Sequence, residues 1–340
     1  MKCQSSLLLA STLCFAGTSA FAQTPPAVNQ ADAVKRQKEL EQQLLQATKP
    51  GGVEMEAPEL FQGELKDVGP QSILKVSRPL TRFEAVMDSQ FFYTSNQNLT
   101  EDATGTTLFV NTLQLAYAPE AFRTEAGLLL PRVGFRHQWF NYGLGDRPAT
   151  KGDVDFDLQT AFVETRWAFS QNWVAEIGAE WSRLINHAPT YTTYRQFYSE
   201  WLPRVGVTRQ VSFSETRSLT FGWQLNYHLS DSPDATLSVP PAPRNTNDRM
   251  DNSFLMAYTH TLNPRLTLQP YYRLMLTRFS GQTGRFDYLH SVGLSAYIAL
   301  HEKVSLRSFM SYEVRDSDTP AVADYTRFDL GMSLNLNVRF

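Results

Sequence analysis

The sequence predicts an all-β fold: an antiparallel transmembrane β-barrel of about twelve strands over residues 81–340, preceded by a partly helical N-terminal extension. Three observations carry that expectation. Twelve segments alternate apolar and polar residues, the connections between them sort by length, and the chain closes on an alternating run that ends in Phe340.

The N-terminus sets the compartment. MKCQSSLLLASTLCFAGTSAFAQ opens with Lys2, continues through the apolar residues Leu7–Leu9 and Leu13–Ala16, and reaches Ala20-Phe21-Ala22 before Gln23. A basic start, a short apolar run and a small-x-small site predict a cleaved secretory signal over 1–22. Cys3 and Cys14 both fall inside it, so no disulfide, thiolate metal site or cysteine nucleophile is expected in the exported chain. The chain carries 31 Lys and Arg against 34 Asp and Glu, a net charge of −3. So mild an imbalance lacks the basic footprint of a nucleic-acid partner. No later run is long and apolar enough for a helical span.

Residues 23–80 differ in texture from the alternating remainder of the chain. QTPPAVNQ is Pro-rich, and ADAVKRQKELEQQLLQAT (31–48) is dense in helix formers. The helix expected near 31–48 has only Val34, Leu40, Leu44 and Leu45 as large apolar residues, too few for a coiled-coil seam. Residues 23–80 therefore read as a periplasmic extension, a linker or a plug, with a periplasmic partner as one possible role for the helix.

The twelve strand candidates follow in order: 82–95, 106–119, 128–143, 156–169, 173–185, 194–211, 218–229, 250–262, 266–279, 285–300, 304–315 and 325–340. Each is long enough for a tilted spanning strand of about 9–11 residues. The connections SQN, SFSETR, NPR and HEK follow even-numbered segments and are short. Those after odd-numbered segments are mostly longer and polar, as in NQNLTEDATG and SDSPDATLSVPPAPRNTNDR. Short periplasmic turns and longer external loops are the pattern of barrels with both termini in the periplasm. A β-sandwich has no reason to sort loops by parity. Aromatics near strand ends, namely Tyr93, Tyr117, Trp139, Tyr142, Trp167, Trp173, Tyr227, Tyr271 and Tyr325, suggest interfacial belts.

In the closing run FDLGMSLNLNVRF, Phe328, Leu330, Met332, Leu334, Leu336, Val338 and Phe340 share one face, since successive side chains alternate across a strand. This run resembles the C-terminal strand signature of Gram-negative outer-membrane β-barrel proteins, a porin-like class. The resemblance implies location in the cell outer membrane, contact with its lipid, and recognition of these seven residues by the barrel-insertion machinery.

Charge assigns the inner wall, because Arg or Lys on the lipid face at mid-depth costs about 2–4 kcal/mol. The residues expected to line the lumen are Glu84, Asp88, Arg132, Arg136, Glu164, Arg166, Glu176, Glu180, Glu200, Arg204, Arg273, Arg307, Asp329 and Arg339. Both signs are present in similar number. They suit either a narrow water path for small polar or zwitterionic solutes or a salt-bridge network that fills the barrel. Twelve strands fall between the filled eight-stranded barrels and the open sixteen-stranded ones. Gly178, Gly222, Gly293 and Gly331 share the inward parity and would leave space.

The expected function is thus a narrow outer-membrane channel, with a filled structural barrel as the alternative. An enzyme is not expected, nor a cofactor or bound metal. His228 and Ser230 share one strand end and are the only hydrolase candidates, with no surrounding motif to support them. Asp153, Asp155 and Asp157 alternate in one loop but lack the further ligands of a Ca²⁺ site.

Overall fold

Period-two alternation with one apolar face needs a partner surface on each edge, and closing the sheet on itself supplies both. The computed structural model describes residues 82–340 apart from 98, 102, 144–154, 187–194, 234–242, 283 and 321, together with Ala31, Asp32, Ala33, Lys35, Arg36, Glu39 and Leu44. The expected signal 1–22 and most of the extension lie outside the described residues.

Among the described residues thirteen strands form: β1 (Phe83–Thr94), β2 (Thr106–Tyr117), β3 (Phe122–Thr124), β4 (Gly127–Tyr142), β5 (Phe156–Ser170), β6 (Trp173–Asn186), β7 (Arg195–Ser214), β8 (Arg217–Asp231), β9 (Arg249–Asn263), β10 (Leu266–Phe279), β11 (Phe286–His301), β12 (Val304–Ser317) and β13 (Tyr325–Arg339). Each pairs antiparallel with its neighbours, β2 pairs with β4, and β1 pairs with β13, so twelve strands close a barrel. β3 is additional. Its three exposed residues pair only with the start of β4, within a stretch the sequence reads as a connection.

The seam that closes the barrel is Glu84↔Arg339 through Thr94↔Asp329. It is completed by Phe340, whose backbone N–H and C=O group exchange hydrogen bonds with Phe83 and whose ring stacks on that of Phe83 at 5.9 Å. The turns β5–β6, β7–β8, β9–β10 and β11–β12 are two residues each, so one end of the barrel is tightly tied and the other carries the long loops. By the usual orientation the tied end, with β1's start and β13's end, is periplasmic.

Two faces separate cleanly. Ile177 is 66% exposed and Met332 56%, while Gln269 and Asp329 on the opposite parity are almost fully buried. An apolar exterior around a polar interior inverts a soluble barrel and matches a lipid solvent. The chain is therefore an outer-membrane-type β-barrel. Phe328, Leu330, Met332, Leu334, Leu336 and Phe340 stand on the exterior, with Val338 half-buried beside them. Tyr93, Trp139, Trp167 and Tyr227 are likewise exposed, whereas Tyr142, Tyr271 and Tyr325 point inward and are buried, so they belong to the lumen and not to a belt. Tyr142 and Tyr325 share the strand-end position of the belt residues but not their parity, and Tyr271 lies within β10.

Of the four inward glycines, Gly293 and Gly331 are covered, Gly178 lies against Glu164, and Gly222 borders a cavity of about 40 Å³. Phe92 sits over Gly331, its β-strand partner, and Tyr271 over Gly293. Gly293 and Gly331 are the floor on which these two inward aromatics lie, a pairing that relieves crowding on a curved sheet.

Candidate functional site: the filled lumen

Sequence parity places the charged residues on the inner wall, and barrel closure brings them together in three clusters. The first spans β1 and β4–β7 in the periplasmic half. Arg132 reaches Glu84 at 2.8 Å and Glu164 at 3.2 Å. Arg204 contacts Glu164, Glu176 and Glu180, the Glu176 contact at 3.0 Å. Arg136 meets Glu180 at 3.2 Å and Arg166 meets Glu176 at 3.3 Å. Eight of the fourteen expected lumen residues thus form one ion-pair ladder. Asp88 is buried on the same wall, Arg307 is buried with its guanidinium 4.6 Å from the Phe309 ring, and Arg339 is exposed at the rim, 4.0 Å from Glu84.

The second cluster lies toward the long loops. Glu200 accepts a hydrogen bond from Tyr198 Oη at 2.7 Å and pairs with His228 Nδ1 at 3.1 Å, while His228 Nε2 faces Asp251 at 3.0 Å. Arg249 contacts Asp251 at 3.3 Å. A third cluster joins Tyr325 to Glu313 at 2.7 Å and Arg327 to Asp329 at 2.7 Å.

The described helical residues of the N-terminal segment sit among these clusters. Asp32 accepts from Asn247 at 3.0 Å and Arg249 at 3.2 Å. Lys35 donates to Ser182 at 2.9 Å and to Glu200. Arg36 donates to Tyr325 Oη at 3.2 Å, and Glu39 pairs with Arg273 at 3.6 Å. The wall also binds the segment's backbone: Arg273 donates to the Arg36 carbonyl at 3.1 Å and Gln269 to that of Leu44 at 3.3 Å. Ala31 packs near the outer mouth in a cluster with Phe140, Phe156, Leu184 and Tyr198, and Leu44 clusters with Leu255, Ala257 and Tyr271 deeper in the barrel. The segment accordingly descends from the loop end toward the periplasm.

Two small cavities lie beside the described residues of the segment. One cavity of about 30 Å³ is bounded by Arg36, Leu44, Arg273 and Glu313, and another of about 40 Å³ by Glu39, Glu176, Arg204 and Gln224. Each holds a few waters at most.

Arg249, Asp251, Glu313, Arg327 and the four charges of the segment are not among the expected lumen residues. The strand residues obey the same inward parity as those that are, so the signal is present. Asp32, Lys35, Arg36 and Glu39 fall at i, i+3, i+4 and i+7, which is one helix face. That stripe is charged because the surface it meets is charged, and a search for an apolar seam passes over it.

The hydrolase candidates are not brought together. Both His228 ring nitrogens face carboxylates, and Ser230 Oγ donates to Asp248 at 2.7 Å. No hydrogen bond joins Ser230 to His228 among the described residues. Asp155 accepts from the Tyr142 amide at 2.8 Å, Asp157 has outward parity and lies 3.2 Å from His137, and Asp153 lies outside the described residues. No metal-binding group of acids and histidines occurs among the described residues.

No family model matches the chain, and no curated protein matches it. Solved structures do resemble it. The outer membrane channel from Pseudomonas putida F1 is 12% identical with a TM-score of 0.49, the match covering 77% of this chain and 97% of that one. The beta domain of the Bordetella autotransporter BrkA is 13% identical with a TM-score of 0.44, covering 74% of this chain and 98% of that one. The translocator domain of the autotransporter NalP from Neisseria meningitidis is 10% identical with a TM-score of 0.41, covering 91% and 98%. Identities and scores this low leave function to be argued from the lumen.

Proposed function

We propose that the protein is an outer-membrane channel for small polar solutes, held shut by its own N-terminal helical segment. The observation that carries this is the chemistry of the contact. Asp32, Lys35, Arg36 and Glu39 each meet a wall residue of complementary charge or hydrogen-bonding sense. A plug sealed by apolar packing would expose greasy surfaces to water on leaving. One sealed by ion pairs leaves a charged helix and a charged lumen, both well solvated, so release costs far less than area alone would suggest. A polar seal therefore suits a removable plug. A permanent filler has no need of it.

The test is single-channel recording from the refolded mature chain in a planar bilayer, beside Asp32→Asn/Lys35→Gln. Removing two charge-assisted contacts of about 1.5–3 kcal/mol each raises the open fraction at least tenfold while the barrel stays folded. Equal silence from both, in protein shown to be folded, favours the filled structural barrel.

A further inference from the structure

We infer that the site now held by Asp32 and Lys35 is the solute site of the channel, and that it takes zwitterions whose ammonium and carboxylate are well separated, such as ω-amino acids and short peptides. The inference rests on the channel reading above and adds the substrate class.

The wall offers two receptors of opposite sense, already joined. At one end Asn247 and Arg249 aim N–H groups at a carboxylate oxygen, at 3.0 and 3.2 Å. At the other, Glu200 and Ser182 receive an ammonium, which also lies 5.5 Å from the centre of the Tyr198 ring. Tyr198 Oη ties the two together, accepting from Asn247 at 2.9 Å and donating to Glu200 at 2.7 Å. All five wall residues are buried, so their positions are fixed by one another and need little reorganisation on binding.

Nothing in this arrangement requires a helix. It requires a carboxylate and an ammonium separated by the path through Asn247, Tyr198 and Glu200. That path runs through four consecutive hydrogen bonds, Asp32–Asn247, Asn247–Tyr198, Tyr198–Glu200 and Glu200–Lys35, and a chain of about six atoms between the charges is assigned to the ligand on that basis. The segment also fills the site imperfectly: Asp32 Oδ1 is buried with no hydrogen-bond partner among the described residues. An unmet buried oxygen costs about 1–3 kcal/mol. A free ligand can turn its carboxylate to satisfy both oxygens, which a carboxylate fixed on a helix does not. Beside the site, Phe140, Phe156 and Leu184 offer an apolar wall for the ligand's carbon chain.

Ligand and segment then compete, and entry of solute displaces the plug. The experiment uses the refolded mature chain carrying Ala33→Cys, a small change at a buried position of the segment. The rate of maleimide labelling reports release. With 6-aminohexanoate at about ten times its dissociation constant, the released fraction and hence the labelling rate rise about tenfold. Hexanoate and hexylamine, each engaging one receptor, raise it much less, and Asn247→Ala removes most of the zwitterion's advantage. An unchanged rate, or one raised equally by hexanoate or hexylamine, overturns the inference. Conductance recorded on Asp32→Asn/Lys35→Gln separates the two claims. A conducting variant with no zwitterion preference sinks this site alone, whereas a folded variant that never conducts sinks the channel reading with it.

Discussion

Arg204→Ala is expected to lower the stability of the refolded barrel by about 3–5 kcal/mol, the cost of leaving buried charges without their partner. Arg204 is the hinge of the periplasmic ladder. Its guanidinium meets carboxylates from β5 and from two positions of β6, and its side chain is 5% exposed. Truncation leaves Glu164, Glu176 and Glu180 facing one another without the guanidinium they share. Arg132, Arg136 and Arg166 each retain one or two of these acids, so the ladder loses its centre and keeps its ends. Arg204→Lys preserves the charge but reaches fewer of the three carboxylates and falls between the two, because an ammonium lacks the guanidinium's planar fork. Adding Glu164→Gln and Glu180→Gln to Arg204→Ala recovers part of the loss by removing the repulsion. Urea unfolding in lipid vesicles, followed by tryptophan fluorescence, measures all three. An Arg204→Ala barrel as stable as the parent would mean that the acids are solvated and that the ladder contributes nothing.

Gly331→Ala is expected to cost nearly as much, at the upper end of the about 1–3 kcal/mol typical of overpacking. A Cβ at this position would stand 2.2 Å from Phe92 Cβ and 2.5 Å from the Phe91 carbonyl oxygen. Directly paired residues normally hold their Cβ atoms about 4.5–5.5 Å apart, and neither obstacle is the free end of a side chain. The strain falls on β1–β13, the seam that closes the barrel. The variant should therefore accumulate as unfolded chain in a gel-mobility assay of folding into vesicles. Phe92→Gly on the same background removes the Cβ that stands at 2.2 Å, leaves the Phe91 carbonyl in place, and restores part of the folding yield. A Gly331→Ala protein that folds with parental yield would refute this packing.

How much the sequence discloses depends on which forces act locally. Strand alternation is imposed by lipid on one side and water-like polarity on the other, so all twelve barrel strands are legible. β3 is not, because three exposed residues bury nothing and leave no pattern. Loop parity is legible because short turns and long loops differ in length alone. The inward charges are legible from the cost of placing them in lipid. Their pairing is not, since Glu84 and Arg132 meet only when β1, β2 and β4 lie side by side in register. Glycine misleads for a related reason: Gly331 implies space when read alone, and its partner Phe92 is visible only once the seam is formed. The N-terminal segment is the least legible part. Helices are ordinarily placed by their apolar face, and this one meets a polar wall with a charged stripe at the same spacing.

The central claim is that the lumen is a conduit which the N-terminal segment shuts, and locking the segment in place tests it most directly. Ala33 shares one buried cluster with Met275 of β10. Cysteines at these two positions, bridged by a short cleavable cross-linker in the refolded mature chain, hold the segment against the wall. Single-channel recording before and after cleavage is the measurement. Silence while bridged, and openings that appear on cleavage and grow with Asp32→Asn/Lys35→Gln, are the predicted result. Identical conductance in the bridged and cleaved states would contradict the account.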